Sequence, residues 1–175
     1  MSTATTTTTK WAIDPTHSEV SFKVKHLVIS TVTGYFKSFD ASVETESEDF
    51  EGANISFSAD IASISTNQSD RDNHLKSADF FDAEKFPKMT FSGILNGNTL
   101  EGDLTIKGVT KTVSLDVDFG GVVEDPYGQT KAGFEIEGKI SRKEYGLMWN
   151  AVTEAGSVVV SDQVKIIVNA QVIKQ

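Results

Sequence analysis

The residues of this chain that could do chemistry are few and scattered. Asp14, His17 and Ser18 supply the residue types of a hydrolytic triad. A triad works by three-dimensional geometry, however, which crowding into five residues does not provide, and no nucleophile elbow accompanies them. Asp and Ser just ahead of an apolar run more simply bond local backbone groups in a turn. His17, His26, His74 and Asp72 carry metal-ligating atoms, yet neither HExxH nor any other ligand spacing joins them, so no metal is expected. Asp116-Val117-Asp118 opens like a calcium loop, but its twelfth position is Tyr127 where a chelating glutamate is required. The only arginines, Arg71 and Arg142, are the natural partners for a phosphate or a polar oxygen. Arg71 lies near His74 in one polar stretch, and Arg142 lies near Tyr145, Trp149 and Asn150 in another.

Composition narrows the field further. With no cysteine among 175 residues, disulfides, thiolate nucleophiles, iron–sulfur clusters and thiolate zinc sites are all excluded. A net charge of -9 disfavours nucleic acid, whose binding depends on Lys and Arg releasing counterions from phosphates. The length suits one domain that buries roughly 70% of its unfolded surface. No apolar run reaches the roughly 18 residues of a spanning helix, and the start MSTATTTTTK lacks a signal-peptide pattern, so a cytoplasmic location is expected. Two sequons, at Asn54 and Asn67, have no meaning without secretion.

The elements that must position these residues are strands. After a Thr-rich tail over residues 1–9, expected to be disordered, apolar and polar residues alternate with period two, the pattern of half-buried strands. One such set is Val20, Phe22 and Val24, with His26 on the same parity and therefore expected to point inward. Others are Ile55 to Ile61, Leu100 to Ile106, Val113 to Phe119, Ala132 to Ile140 and Val164 to Val172, with less regular candidates at 34–43 and 88–95. Turn signals at Asn96-Gly97, Lys107-Gly108 and Asp125-Pro126-Tyr127-Gly128 make sequential antiparallel pairing the simplest topology. About eight strands on short connections predict an all-β fold, an antiparallel barrel or sandwich in one domain over residues 10–175. A short helix is predicted over 69–79, with Ser69 as cap, an Asp72–Lys76 pair, Arg71 in a salt bridge, and docking through Leu75, Phe80 and Phe81. A further helical turn is predicted over 141–145.

An eight-stranded barrel is either filled by its own side chains or just wide enough for one small ligand. Small inward residues such as Ala59, Gly102, Gly138 and Ala170 favour a cavity, while bulky partners opposite them would favour a filled core. The wall of such a cavity would include Phe22, Val24, Phe57, Phe91, Leu104, Leu115, Phe134, Ile136, Ile166 and Val168.

Several linked stretches carry a resemblance from about Lys10 to Gln171. They are Trp11-Ala12-Ile13-Asp14-Pro15-Thr16-His17-Ser18 running into Val20 to His26, then Thr31, Gly34 and Phe36. Next come Ser63 to Thr66 ahead of Arg71-Asp72-Asn73-His74-Leu75, then Asp79-Phe80-Phe81-Asp82 and Phe86-Pro87. The run from Gly102 to Lys111 follows, then Arg142, Tyr145-Gly146-Leu147, Trp149-Asn150 and Val160-Ser161-Asp162. Together they resemble the YceI-like family of polyisoprenoid-binding proteins. The resemblance implies an eight-stranded lipocalin-like barrel enclosing an isoprenoid quinone or polyprenyl lipid, with short helices near one end. It implies no catalysis and no cofactor beyond the bound lipid. It also implies transient membrane contact for lipid exchange and is compatible with a homodimer. Relatives that carry an export signal differ from this chain in that respect. His26, Phe36, Arg71, His74, Arg142 and Trp149 join the wall residues as candidate ligand contacts, the polar ones for a head group. The alternatives are a small hydrolase or isomerase acting on a lipid in the same cavity, and a filled barrel serving as an interaction module.

Overall fold

The computed structural model describes residues 8–27, 29–47, 49–148 and 160–175. The elements are β1 (Thr9–Ile13), a 3-10 turn at Pro15–His17, β2 (Glu19–His26), β3 (Ser30–Phe36), β4 (Phe39–Thr45) and β5 (Asn54–Asp60). They continue with a 3-10 turn at Ile61–Ser63, β6 (Ile64–Ser65), α1 (Ser69–Lys76), β7 (Lys88–Asn96), β8 (Thr99–Ile106) and β9 (Val109–Glu124). The last are β10 (Thr130–Ser141), a 3-10 turn at Arg142–Tyr145 and β11 (Val160–Lys174). Among the described residues no helix is long and apolar enough to cross a membrane.

Eight strands, β1, β4, β5, β7, β8, β9, β10 and β11, follow one another round a closed antiparallel ring in which β1 pairs with both β4 and β11. Beyond the ring β11 pairs with β2, β2 with β3, and β3 with β6. Each of these three is joined in sequence to a ring strand across a bend, at Pro15–His17, at Lys37-Ser38 and at Ile61–Ser63 respectively. The predicted eight-stranded barrel is therefore present, with its early strands broken by corners. The alternation that predicted it works as physics requires: along β7, Met89 and Phe91 are buried while Thr90 and Ser92 are exposed. A register shift at Gly133/Phe134, opposite Gly121, bends the long β9–β10 pair and still leaves Phe119 facing Phe134. The β9–β10 ladder stops at Asp116↔Glu137, although β9 extends back to Val109 and β10 on to Ser141.

Some local expectations change. Thr9, assigned to the tail, opens β1, a strand whose few residues gave too little alternation to be seen. The single candidate strand at 34–43 breaks at Lys37-Ser38, because β3 pairs with β2 while β4 pairs with β1. The helix ends at Lys76, and its cap is Gln68, whose Oε1 accepts from Arg71 N at 2.6 Å. Asp72 makes no pair with Lys76 among the described residues; its carboxylate accepts from Thr66 N at 2.7 Å and Thr66 Oγ1 at 2.6 Å. Arg71 likewise forms no salt bridge there and donates from Nε to Thr66 Oγ1 and from Nη2 to Thr66 O, both at 2.7 Å. The predicted turn before Leu147 is present as the 3-10 turn at Arg142–Tyr145, closed by Gly146 at φ 77°. The β8–β9 hairpin turns on Lys107 and Gly108, both at positive φ.

Candidate functional site

The inward faces of the ring strands, together with β2 and β3, enclose a cavity of about 180 Å³. Phe22, Val24, Phe36, Phe57, Phe91 and Leu104 line it as the sequence predicts, and so do Leu115, Phe134, Ile136, Ile166 and Val168. Period-two alternation delivers these residues because successive Cβ atoms of a strand face opposite ways, so each apolar set is turned inward together.

One end of the barrel is plugged. The β4–β5 loop turns Phe50, at 0% exposure, into the barrel, where its ring meets Trp11 and Phe134 at 5.0 Å and Phe119 at 5.4 Å between centroids. This loop is sewn to the β7–β8 hairpin: Gly52 N donates to Leu95 O, Leu95 N to Ala53 O, and Gly97 N to Glu51 Oε2. Nothing in the alternation predicts this plug, since Phe50 stands alone in the acidic run Glu46-Ser47-Glu48-Asp49-Phe50-Glu51. The usable signal is that same isolation: one aromatic side chain among charges, followed by Gly52.

The opposite end is covered by α1 and the segment after it. Leu75, Phe80 and Phe81 reach the cavity, as the docking reading expects, and Phe81 meets Phe36 edge-on at 6.1 Å. No residue of α1 is fully buried. Lys107 Nζ donates to Ala78 O at 3.1 Å, which ties this cover to the β8–β9 turn.

Only two polar side chains line the cavity among the described residues, Ser21 and Arg142. Ser21 Oγ donates to Ile167 O at 3.2 Å. Arg142 is 3% exposed; its Nη1 donates to Leu147 O at 2.6 Å, Nε to Ser161 O at 2.8 Å, and Nη2 to Val160 O at 3.2 Å. Burial lowers the guanidinium pKa from its ordinary value, and nearby Asp162 partly offsets this. Arg142 thus joins the end of β10 to the start of β11 at the cavity wall.

The other polar candidates lie outside the wall. His26 does not line the cavity: it keeps the parity of Val24 and is half-buried, but it ends β2 opposite a bulge in β11, where the register shifts between Val160↔His26 and Val164↔Val24. Arg71 is held at Thr66, and His74 Nε2 lies 3.0 Å from Asp79 Oδ2 with its ring edge-on to Phe80. Trp149 and Asn150 lie outside the described residues. Asp14, His17 and Ser18 do not form a relay. The Asp14 carboxylate accepts from Thr16 N and Oγ1 and lies 2.7 Å from His17 Nδ1, whereas Ser18 Oγ pairs with the backbone of Gln171. Hydrogen bonds from Thr16 and then His17 hold the Asp14 pKa down at about 2, as the turn reading requires.

A closed antiparallel barrel around an apolar cavity, with one end plugged and the other covered by a short helix, has lipocalin-like architecture. Residues 11–172 match the family described as YceI-like domain, and the chain belongs to that family. A UPF0312 protein of Staphylococcus epidermidis is 41% identical over 165 residues, covering 93% of this chain and 96% of that protein. The Campylobacter jejuni YCEI protein superposes with a TM-score of 0.72 at 32% identity, covering 86% of this chain and 90% of that one. A polyisoprenoid binding domain from Saccharophagus degradans, described as implicated in plant cell wall breakdown, superposes with a TM-score of 0.74 over 94% of this chain and 98% of its own. At 14% identity it shares the fold.

Proposed function

We propose that this protein holds a long-chain isoprenoid amphiphile, a quinone or a polyprenyl lipid, inside the barrel for carriage, storage or presentation, without catalysis. The observation that carries this reading is the wall. All eight ring strands contribute apolar side chains to one cavity in which Ser21 and Arg142 are the only polar lining side chains among the described residues. Each methylene moved from water to such a wall contributes about 0.8 kcal/mol, so a polyprenyl chain needs no charged site to bind. The Saccharophagus degradans domain, described as polyisoprenoid-binding, supports the class of cargo.

The cavity of about 180 Å³ is smaller than the roughly 300–1,000 Å³ usual for ligand sites. A long chain therefore enters by turning wall side chains aside, and the half-buried Phe22, Phe57, Ile136 and Ile166 have the room to yield. A hydrolase built on Asp14, His17 and Ser18 is not favoured, because Ser18 is bonded to Gln171 and none of the three lines the cavity. Native mass spectrometry of protein from its own source, followed by organic extraction, tests the proposal, with one isoprenoid molecule per barrel as the expected result. Lipid-free protein that also fails to take up added quinone or polyprenyl phosphate would overturn it in favour of a filled barrel acting as an interaction module.

A further inference from the structure

Where the β9–β10 ladder stops at Asp116↔Glu137, the next residues, Leu115 and Gly138, form no ladder pair. A Cβ on Gly138 would overlap Leu115 Cδ2, so the missing side chain is what lets Leu115 lie across the break. Leu115 lines the cavity, Val113 lines a second, polar hollow between the diverging strands, and Ile140 lines both. The β9–β10 ladder is therefore interrupted here, with Leu115 on the apolar interior and Ile140 shared between the interior and the polar groove.

The groove carries a group that lacks a partner. Tyr145, 1% exposed, lines it from the 3-10 turn, and its hydroxyl is buried with no hydrogen-bond partner among the described residues. Burial, and secondarily Glu144, push its pKa up to about 12, so the hydroxyl keeps its proton as a donor. A buried donor without an acceptor costs free energy that an incoming acceptor would recover. Lys111 and Lys139 form no ion pair among the described residues. Glu144 and Asp162 also line the groove; the Asp162 carboxylate accepts from Ser141 Oγ at 2.7 Å and Lys143 N at 3.1 Å and lies beside the Arg142 guanidinium.

We infer that this break is the head-group seat of the bound amphiphile. Leu115 on Gly138 acts as its gate, and Tyr145 donates to an oxygen of a neutral head group, a carbonyl or hydroxyl. The groove lining holds two cations and two carboxylates, Lys143 and the Arg142 guanidinium add positive charge beside Asp162, and the chain as a whole carries -9; the choice of a carbonyl or hydroxyl therefore rests on Tyr145 as an uncharged donor. The inference rests on the proposed lipid binding and adds where the polar end sits and what chemistry it has.

The test titrates the full chain with a long-chain quinone, with squalene as an isoprenoid that lacks a head group, and with a polyprenyl phosphate, in native and Tyr145→Phe protein. The substitution deletes only the unpartnered hydroxyl and should leave the fold intact. Expected are about a five-fold loss of quinone affinity, the size of one neutral hydrogen bond, and no change for squalene. The infrared stretch of the bound quinone carbonyl should also lose its hydrogen-bond shift in the variant. Equal quinone affinity with an unchanged stretch would overturn the seat. Polyprenyl phosphate binding the native chain more tightly than quinone would overturn the neutral head group. A native chain that takes up neither quinone nor squalene would overturn the proposed function itself, and the seat with it.

Discussion

At one end of the barrel Phe50 is wholly buried among three aromatic rings and its loop is bonded to a hairpin; at the other, Leu75 and Phe81 only partly cover the cavity and α1 buries no residue completely. Both ends are apolar, so hydrophobicity does not distinguish them. The difference lies in how the backbone is tied. The plug shares hydrogen bonds with β7 and the β7–β8 turn, whereas the helical cover bonds mainly to itself, as Phe81 N does to Leu75 O and Ala83 N to Lys76 O. A segment with few buried side chains and mostly local bonds opens at lower free energy than one stitched into the sheet. On the proposed lipid binding, the helix-covered end is therefore the one expected to open for exchange.

The sharpest way to break this comparison is Phe50→Ala. Removing a fully buried ring should cost about 3–5 kcal/mol in a chemical denaturation titration. A much smaller loss would mean that the plug is not the better-packed end. Phe81→Ala, at the half-buried cover, should cost only about 1–2 kcal/mol and should speed lipid exchange from a loaded barrel. A stability loss equal to that of Phe50→Ala, with unchanged exchange, would remove the distinction between the ends.

The smallest effect belongs to the rim of the plugged end, where Asp14 sits in its turn and Asp14 N donates to Gln171 O at 2.8 Å. Its pKa falls from the ordinary 3.8 to about 2 on folding. The ionised form therefore stabilises the fold above about pH 4, and this contribution is lost as pH drops towards 2. Asp14→Asn should lower stability near neutral pH by less than about 1 kcal/mol after solvent screening and flatten the melting temperature between pH 4 and 2. A variant whose acid slope matches that of the native protein would sink this assignment.

The strand faces were legible because alternation is a local property: Phe91 and Leu104, or Ile136 and Ile166, reveal their side of the sheet without any knowledge of their neighbours. What escaped depends on contacts remote in sequence. His26 keeps the right parity at the end of β2, opposite a bulge in β11, yet does not line the cavity. Phe50 belongs to no periodic run. Arg142 was legible as a candidate contact and does line the cavity, but the backbone oxygens of Leu147, Val160 and Ser161 that hold it were not. Tyr145 could be placed near a turn, while the missing β9–β10 pairing that gives it meaning is visible only in three dimensions.

The ring closes where Trp11, Ala12 and Ile13 pair with Lys174, Ile173 and Val172. During synthesis, a chain that emerges from its N-terminus can form the hairpins from β7 to β10 early, but β1 must wait for β11 before it has a second neighbour. Until then the nascent barrel is an open, greasy trough with two bare edges, the state in which such a sheet is most exposed to pairing with another copy.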